Sequence, residues 1–198
     1  MRNLIFPLIV ASLLACGGNE SSEQYLSSAK GYLAEANYQA ATIELKNALR
    51  LDANSAESRW LLGKIYLETG DVQSAEKELQ RAGDLGWKAD DLYPSLAQAW
   101  LAQGKFDEVL SLDHKSLQAD AAAELLSSQA AAELAQGNPE ESGKLVGLAL
   151  QKNPESDSAK LVEARLLASQ GDLTGSLIVL EEILESNPEE ADVWRLKG

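Results

Sequence analysis

Cysteine and histidine are scarce in this chain of 198 residues, which has a single cysteine, Cys16, and a single histidine, His114. One cysteine cannot form a disulfide within the chain, and with one histidine it cannot build a Cys/His metal site. The sequence also lacks a Gly-rich phosphate loop, an HExxH motif and a nucleophile elbow. We therefore expect no catalytic site, no metal, no cofactor and no small-molecule substrate.

Positive charge is also scarce. Lys and Arg number 17 and Asp and Glu number 31, which gives a net charge of −14. An acidic chain is repelled by phosphate backbones and by anionic lipid surfaces. We therefore expect no nucleic-acid partner, and any membrane attachment must come from something other than a basic patch.

Aromatic residues make up only 6% of the chain, and strand-like alternation of apolar and polar residues is absent. Apolar residues reach 45%, which is enough to build a sizeable core. Most of them are Ala and Leu, which lose little free energy on entering a helix. The composition predicts an all-α fold.

The N-terminal residues 1–15, MRNLIFPLIVASLLA, have the organisation of a signal peptide. Arg2 provides a short positive region, and residues 4–14 form an apolar region too short to span a bilayer comfortably. The following LLAC string, which ends at Cys16, resembles the lipobox of bacterial lipoproteins. The alternatives are an ordinary signal peptide or an N-terminal helix with an incidental cysteine.

The lipobox resemblance implies cleavage before Cys16 and attachment of two or three acyl chains, which anchor a protein stably. Residues 16–21 are then a flexible tether. Because Gly17 rather than aspartate follows the cysteine, the resemblance implies sorting to the outer membrane of a Gram-negative cell. The expected location is the cell envelope, on the periplasmic side.

From residue 22 onward, small and apolar residues recur with a period of about 34. Gly70, Gly104, Gly137 and Gly171 are separated by 34, 33 and 34 residues, and each is predicted to end a first helix in the left-handed conformation. The period predicts repeats over the following ranges: 22–55, 56–89, 90–122, 123–156 and 157–190, with the start of a sixth at 191–198.

Two places depart from this period. Residues 113–115, Asp-His-Lys, interrupt an apolar face, so the second helix of the third repeat is expected to be short and its connection irregular. The next helix is expected to begin upstream of 123, near Ala119. Because the sequence stops inside the sixth repeat, we expect a longer protein with more repeats; the alternative is a short natural C-terminus.

The pattern around Trp60, Gly63, Tyr66, Gly70 and Ala75 resembles the signature of the tetratricopeptide repeat (TPR). The resemblance implies a right-handed α–α superhelix of about five helix–turn–helix repeats. A generic helical bundle is the alternative, but a bundle has no reason to keep a 34-residue period. By register, Trp100 and Trp194 are expected in the core and Trp87 as a half-exposed residue of a connection.

Three strings give a narrower resemblance: AKGYLAEANYQAATIELKNAL (29–49), LLGKIYLETGDVQSAEKEL (61–79) and LAQAWLAQGKFDEVL (96–110). With the lipobox, they resemble the N-terminal part of TPR-repeat lipoproteins of the PEP-CTERM/exosortase system. This implies a non-catalytic scaffold for protein sorting and exopolysaccharide-associated export. The alternatives are a pilus or outer-membrane assembly lipoprotein, and the N-terminal adaptor of a longer enzyme.

The TPR resemblance also implies a concave groove, lined by the first helices, that binds a protein or peptide partner. The fifth and ninth places of the repeats supply the following predicted groove residues: Lys30, Trp60, Lys64, Gln98, Leu161 and Arg165. Three of the five ninth places are basic, which suggests a peptide with acidic side chains or a carboxylate. The alternative is that these are solvated cations beside acidic neighbours such as Glu57 and Glu68.

Overall fold

The computed structural model describes residues 20–188 and 193–194, and in this part of the chain it contains ten α-helices and no strand. The helices are α1 (Ser22–Ala34), α2 (Tyr38–Leu51), α3 (Ala56–Glu68), α4 (Val72–Asp84), α5 (Ala89–Ala102), α6 (Phe106–Ser111), α7 (Ala119–Ala135), α8 (Pro139–Lys152), α9 (Asp157–Ser169) and α10 (Leu173–Ser186). The predicted all-α class is confirmed. The predicted signal peptide, Cys16 and most of the predicted sixth repeat lie outside the described residues.

The helices form five consecutive hairpins, from α1–α2 to α9–α10, and each hairpin packs on the next. The first helices also contact one another, α3 with α5, α5 with α7 and α7 with α9. Each unit therefore touches mainly its neighbours along the chain, as in a solenoid. The arrangement is an α–α superhelix in which the odd-numbered helices share one face.

The turns inside the hairpins follow the glycine prediction. Gly70, Gly104, Gly137 and Gly171 have φ values of 78°, 71°, 84° and 86°, so the left-handed conformation is confirmed at all four. In the first hairpin the same place is taken by Ala36, with φ 53°. Because an L-residue with a Cβ is strained there, glycine is favoured at these turns.

Small residues allow the two helices of each hairpin to approach closely. Ala29, Ala97, Ala130 and Ala164 are fully buried on the first helices. In the second hairpin the place belongs to Gly63, where an added Cβ would lie 2.6 Å from Leu79 Cγ. These residues bring each pair of helices into contact. Apolar side chains of the second helices pack against the next hairpin; they are Leu45, Leu79, Val109 and Val146.

The third hairpin is shortened, as the sequence predicts. Helix α6 has only six residues, and α7 begins at Ala119, four residues before the predicted repeat boundary at 123. The early end of α6 leaves carbonyl groups without helical partners. The side chain of Gln129, on α7, donates to the carbonyl oxygens of Val109 (3.2 Å) and Leu112 (2.9 Å). The buried side-chain amide of Gln129 therefore provides hydrogen-bond donors for two carbonyl groups at the C-terminal end of α6.

The tryptophans divide between confirmed and wrong predictions. Trp87 is half-buried in the connection before α5, as expected. Trp100 packs against two core clusters. The prediction for Trp194 is wrong: its side chain is 55% exposed, and its indole N–H donates to the carbonyl oxygen of Pro188. The repeat register predicted a buried ring at position 194. In the structure the neighbouring residue, Val193, is the buried one.

Candidate functional site

The shared face of the first helices contains a cavity of ≈ 430 Å³ between α3, α5 and α7. Its lining consists of Trp60, Lys64, Glu68, Asp90, Asp91, Pro94, Ser95, Gln98, Gln118, Asp120, Ala121 and Glu124. Three of the predicted groove residues, Trp60, Lys64 and Gln98, therefore meet in one place. They come from two helices that are adjacent in the solenoid.

A second cavity, of ≈ 260 Å³, continues along the same face between α5, α7 and α9. Its lining consists of Gln98, Leu101, Glu124, Ser127, Ser128, Ala131, Ser158, Leu161, Val162 and Arg165. Gln98 and Glu124 line both cavities, so the two form one continuous depression, which we call the first-helix groove. Leu161 and Arg165, both predicted, lie at its α9 end.

The remaining predicted residue, Lys30, lines neither cavity of the first-helix groove. Its Nζ atom lies 2.7 Å from Glu57 Oε1, so the ammonium pairs with a carboxylate of the next first helix. The cation that the sequence hypothesis assigned to an acidic partner is thus neutralised within the protein.

Trp60 is partly a packing residue. Its indole N–H donates to the carbonyl oxygen of Asp91 on α5 (3.1 Å), and its ring stacks on Trp87 with centroids 5.2 Å apart. The Lys64 ammonium lies 5.2 Å from the centre of the Trp60 ring, within the range of a cation–π contact. The ring therefore ties α3 to α5 while part of it lines the first-helix groove.

The first-helix groove is acidic, whereas the sequence hypothesis expected basic side chains to dominate it. Its lining carries two cationic side chains, Lys64 and Arg165, against five carboxylates, a net charge of −3. The carboxylates are Glu68, Asp90, Asp91, Asp120 and Glu124. The lining is more acidic than the basic ninth places suggested, because the repeat register does not include the acidic residues between those places. The acidic-peptide hypothesis itself stays a prediction.

Most of these carboxylates bind neutral donors rather than cations. Asp90 accepts from the backbone N–H of residue 118 (2.7 Å), Asp120 from a side-chain amide (3.2 Å) and Glu124 from the Ser158 hydroxyl (2.7 Å). Asp91 pairs with the exposed Lys88 (3.0 Å). Four of the five thus have no cationic partner among the described residues, and their negative charge remains available to a ligand.

No metal-binding chemistry accompanies this charge: in residues 20–188 and 193–194 the carboxylates and His114 form no group of three or more that could hold an ion. None of the helices in these ranges is both long and apolar enough to cross a bilayer. What the first-helix groove presents is an elongated, acidic, partly apolar surface made of side chains from four helices.

Comparison with known proteins agrees with this architecture. Three solved structures are similar in fold. A thermophilic TPR protein of Thermus thermophilus has a TM-score of 0.69 at 18% identity, over 89% of this chain and 96% of its own. PilF of Pseudomonas aeruginosa has a TM-score of 0.66 at 17% identity, over 87% and 79%. YrrB, described as a TPR protein with an unusual peptide-binding site, has a TM-score of 0.57 at 16% identity, over 91% and 93%.

At these identities the likeness concerns the fold alone. No curated protein matches the chain in sequence. The profile of the tetratricopeptide repeat family, however, matches residues 32–86 and 133–198, more than half of the chain. With the hairpin geometry described above, this match shows that the chain belongs to the tetratricopeptide repeat family.

Proposed function

We propose that this chain is a non-catalytic protein-interaction scaffold whose first-helix groove holds an extended segment of a partner protein. The observation that carries the proposal is the continuity of the groove: Gln98 and Glu124 each line both of its cavities. A surface that crosses four helices suits an elongated ligand better than a compact one.

The dimensions of the groove support a peptide ligand. Neighbouring helices lie about 8–10 Å apart, so the four helices from α3 to α9 span roughly 27 Å. An extended peptide advances ~3.3 Å per residue, so about eight residues would fill this length. YrrB, a structural relative, is itself described as having a peptide-binding site.

The test is site-specific photocrosslinking. A benzoylphenylalanine at position 98, which is exposed in the middle of the groove, should capture partner segments from intact cells. The same residue at position 73, an exposed glutamine on α4 that lines neither cavity, is the matched control. We expect a discrete crosslinked partner at position 98 alone, and equal capture at both positions would contradict the proposal.

The second part of the proposal is the location of the protein. Lipid on Cys16 anchors the scaffold to a membrane of the cell envelope, on the periplasmic side, and Gly17 favours the outer membrane. The support is the lipobox string that ends in the chain's only cysteine. Cys16→Ser should abolish incorporation of labelled palmitate and release the protein from the membrane fraction. A Cys16→Ser protein that still sediments with membranes would contradict the anchor.

Within this class, the narrower proposal is a scaffold for PEP-CTERM protein sorting and exopolysaccharide-associated export. It rests on the strings 29–49, 61–79 and 96–110 together with the lipobox. The photocrosslinked partner decides between the narrower roles. Proteins with a C-terminal sorting signal or polysaccharide-export proteins would support it, whereas pilus or outer-membrane assembly components would replace it with the alternative role.

A further inference from the structure

We infer that the segment held by the first-helix groove is basic: lysine or arginine side chains of the partner enter the cavity between α3, α5 and α7. The inference rests on the proposed function and adds the chemistry of the ligand. It reverses the acidic ligand suggested by the basic ninth places of the repeats. Its basis is the charge and geometry of the lining.

The negative charge is concentrated at one end of the groove. The cavity between α3, α5 and α7 has five carboxylates and one cation, Lys64, in its lining, whereas the cavity between α5, α7 and α9 has one carboxylate, Glu124, and one cation, Arg165. The second cavity also contains the apolar side chains of Leu101 and Leu161. The lining therefore fits a segment with basic residues at one end and an apolar residue at the other.

Two of the carboxylates, those of Asp90 and Glu124, are held in place before any ligand arrives. Asp90 and Glu124 accept hydrogen bonds at 2.7 Å from neutral donors on neighbouring elements, which fixes their positions without cancelling their charge. The exposed side-chain carboxylate of Glu68, at the end of α3, makes no hydrogen bond or ion pair with another described residue. Positioned acceptors of one sign inside a concave surface focus the field and favour a cationic ligand.

The one cation of the first cavity offsets only part of this field, because its lining keeps a net charge of −4. The Lys64 ammonium lies over the Trp60 ring, 5.2 Å from its centre, and not in an ion pair with the carboxylates of α5 or α7. Lys88, outside the cavity lining, neutralises only Asp91. Four carboxylates on three helices thus remain for the ligand.

The experiment uses arrayed peptides of about ten residues, in which every second position is Lys, Gln or Glu and the other positions are randomised among apolar and neutral residues. The probe is the whole chain, detected by an antibody. We expect strongest retention on the Lys peptides, weaker retention on the Gln peptides and least on the Glu peptides. Preference for the Glu peptides, or equal retention on all three sets, would overturn the inference.

A pair of matched variants separates the groove from the overall acidity of the chain. Glu68→Lys/Asp120→Lys reverses two exposed carboxylates of the groove, and Asp84→Lys/Glu182→Lys reverses two exposed carboxylates that line neither of its cavities. Both change the net charge equally. We expect retention on the Lys peptides to fall about tenfold for the first variant only, because close charges dominate over distant, screened ones. Equal losses in both variants would overturn the inference.

A measurement on the unaltered protein makes the result independent of how the variants fold. Raising NaCl from about 0.1 M to about 1 M shortens the Debye length from about 10 Å to about 3 Å. Retention on the Lys peptides should fall steeply, and retention on the Gln peptides should change little. Salt-independent retention on the Lys peptides would count against the inference.

The failure of the inference is distinguishable from failure of the proposed function. Gln98→Tyr places a bulky, uncharged side chain where the two cavities meet, and Gln73→Tyr is its control on α4. If Gln98→Tyr alone removes retention on the Gln peptides while charge has no effect, the groove binds peptides and only the basic ligand is wrong. If no peptide of any set is retained, both proposals fail.

Discussion

Gly63 offers the sharpest test of how the hairpins close, through the variant Gly63→Ala. An added Cβ would lie 2.6 Å from Leu79 Cγ, 2.9 Å from Leu79 Cδ2 and 3.3 Å from the carbonyl oxygen of Ala75. Leu79 is fully buried, so its side chain cannot turn away into solvent, and the carbonyl belongs to helix backbone. The methyl group can be accommodated only if α3 and α4 separate.

Two opposing terms set the size of the effect. Overpacking a well-filled core costs about 1–3 kcal/mol, and contacts this short with buried atoms place Gly63→Ala in the upper half of that range. Replacing a mid-helix glycine by alanine returns about 1 kcal/mol of helix propensity. We therefore expect a net loss of about 1–2 kcal/mol in the free energy of unfolding.

Gly147→Ala is the matched control for this experiment. Gly147 lies within α8, is exposed, and has no heavy atom within 4 Å of an added Cβ. Only the propensity term applies there, so the variant should be about 1 kcal/mol more stable than the parent.

The assay is urea unfolding followed by circular dichroism and by tryptophan fluorescence, since Trp60 and Trp87 stack beside the second hairpin. Unfolding of a repeat array need not be a single step, so the fluorescence midpoint is the relevant one. If Gly63→Ala raises the fluorescence midpoint, the close approach of α3 and α4 at this glycine is refuted.

Three further predictions concern polar contacts within and between hairpins. Burial raises the pKa of Glu76. Hydrogen bonds from Lys105, Gln103 and Trp100 outweigh this effect and hold the pKa below its ordinary value of 4.5. The ionised Glu76 therefore stabilises the folded state fully above about pH 4.5, and this stabilisation is lost as the pH falls through the lower folded-state pKa. The urea unfolding midpoints of the parent and of Glu76→Gln should therefore converge in acid. Arg59 donates to Glu78 (2.7 Å) and twice to the carbonyl oxygen of Ala53 (3.0 and 2.7 Å); Arg59→Lys cannot make all three bonds and should lose about 1–2 kcal/mol in urea unfolding, whereas an unchanged midpoint would contradict the contact. Trp60→Phe keeps a ring but removes the hydrogen bond to the α5 carbonyl, so it should cost about 1 kcal/mol by the same measurement, and an unchanged midpoint would contradict that bond.

The hairpins and their turns could be predicted from the sequence because they depend on local rules. A glycine at a left-handed turn, as at Gly70, is required by the backbone of that turn alone, and the register of 34 residues repeats the requirement along the chain. Five of the six predicted groove residues also lie in the first-helix groove, because repeat position determines which face a first-helix residue occupies.

The charge of the groove could not be predicted in the same way, because it depends on which side chains meet between repeats. Lys30 forms an ion pair with Glu57, a contact between α1 and α3 that spans 27 residues of sequence. Asp90 and Asp120 lie in the first turns of α5 and α7 rather than at the fifth or ninth places of their repeats. A prediction from positions within one repeat cannot show that carboxylates of two adjacent repeats line the same cavity.

The acidic groove depends on contacts between the beginnings of successive first helices, and the irregular third hairpin makes one of them. Because α6 ends after six residues, the chain crosses back early, and the backbone N–H of Gln118 donates to Asp90 at the start of α5 (2.7 Å). This bond places the beginning of α7, with Asp120 in its first turn, against the beginning of α5, so that carboxylates of two repeats line one cavity. Gln129 donates to the carbonyl oxygens of Val109 and Leu112 at the end of α6, which holds the shortened turn against α7. A comparable contact forms across the full-length α8, because Asp120 accepts from Asn153 and Glu124 accepts from Ser158. Polar contacts between the beginnings of successive first helices therefore bring the carboxylates of the first-helix groove together.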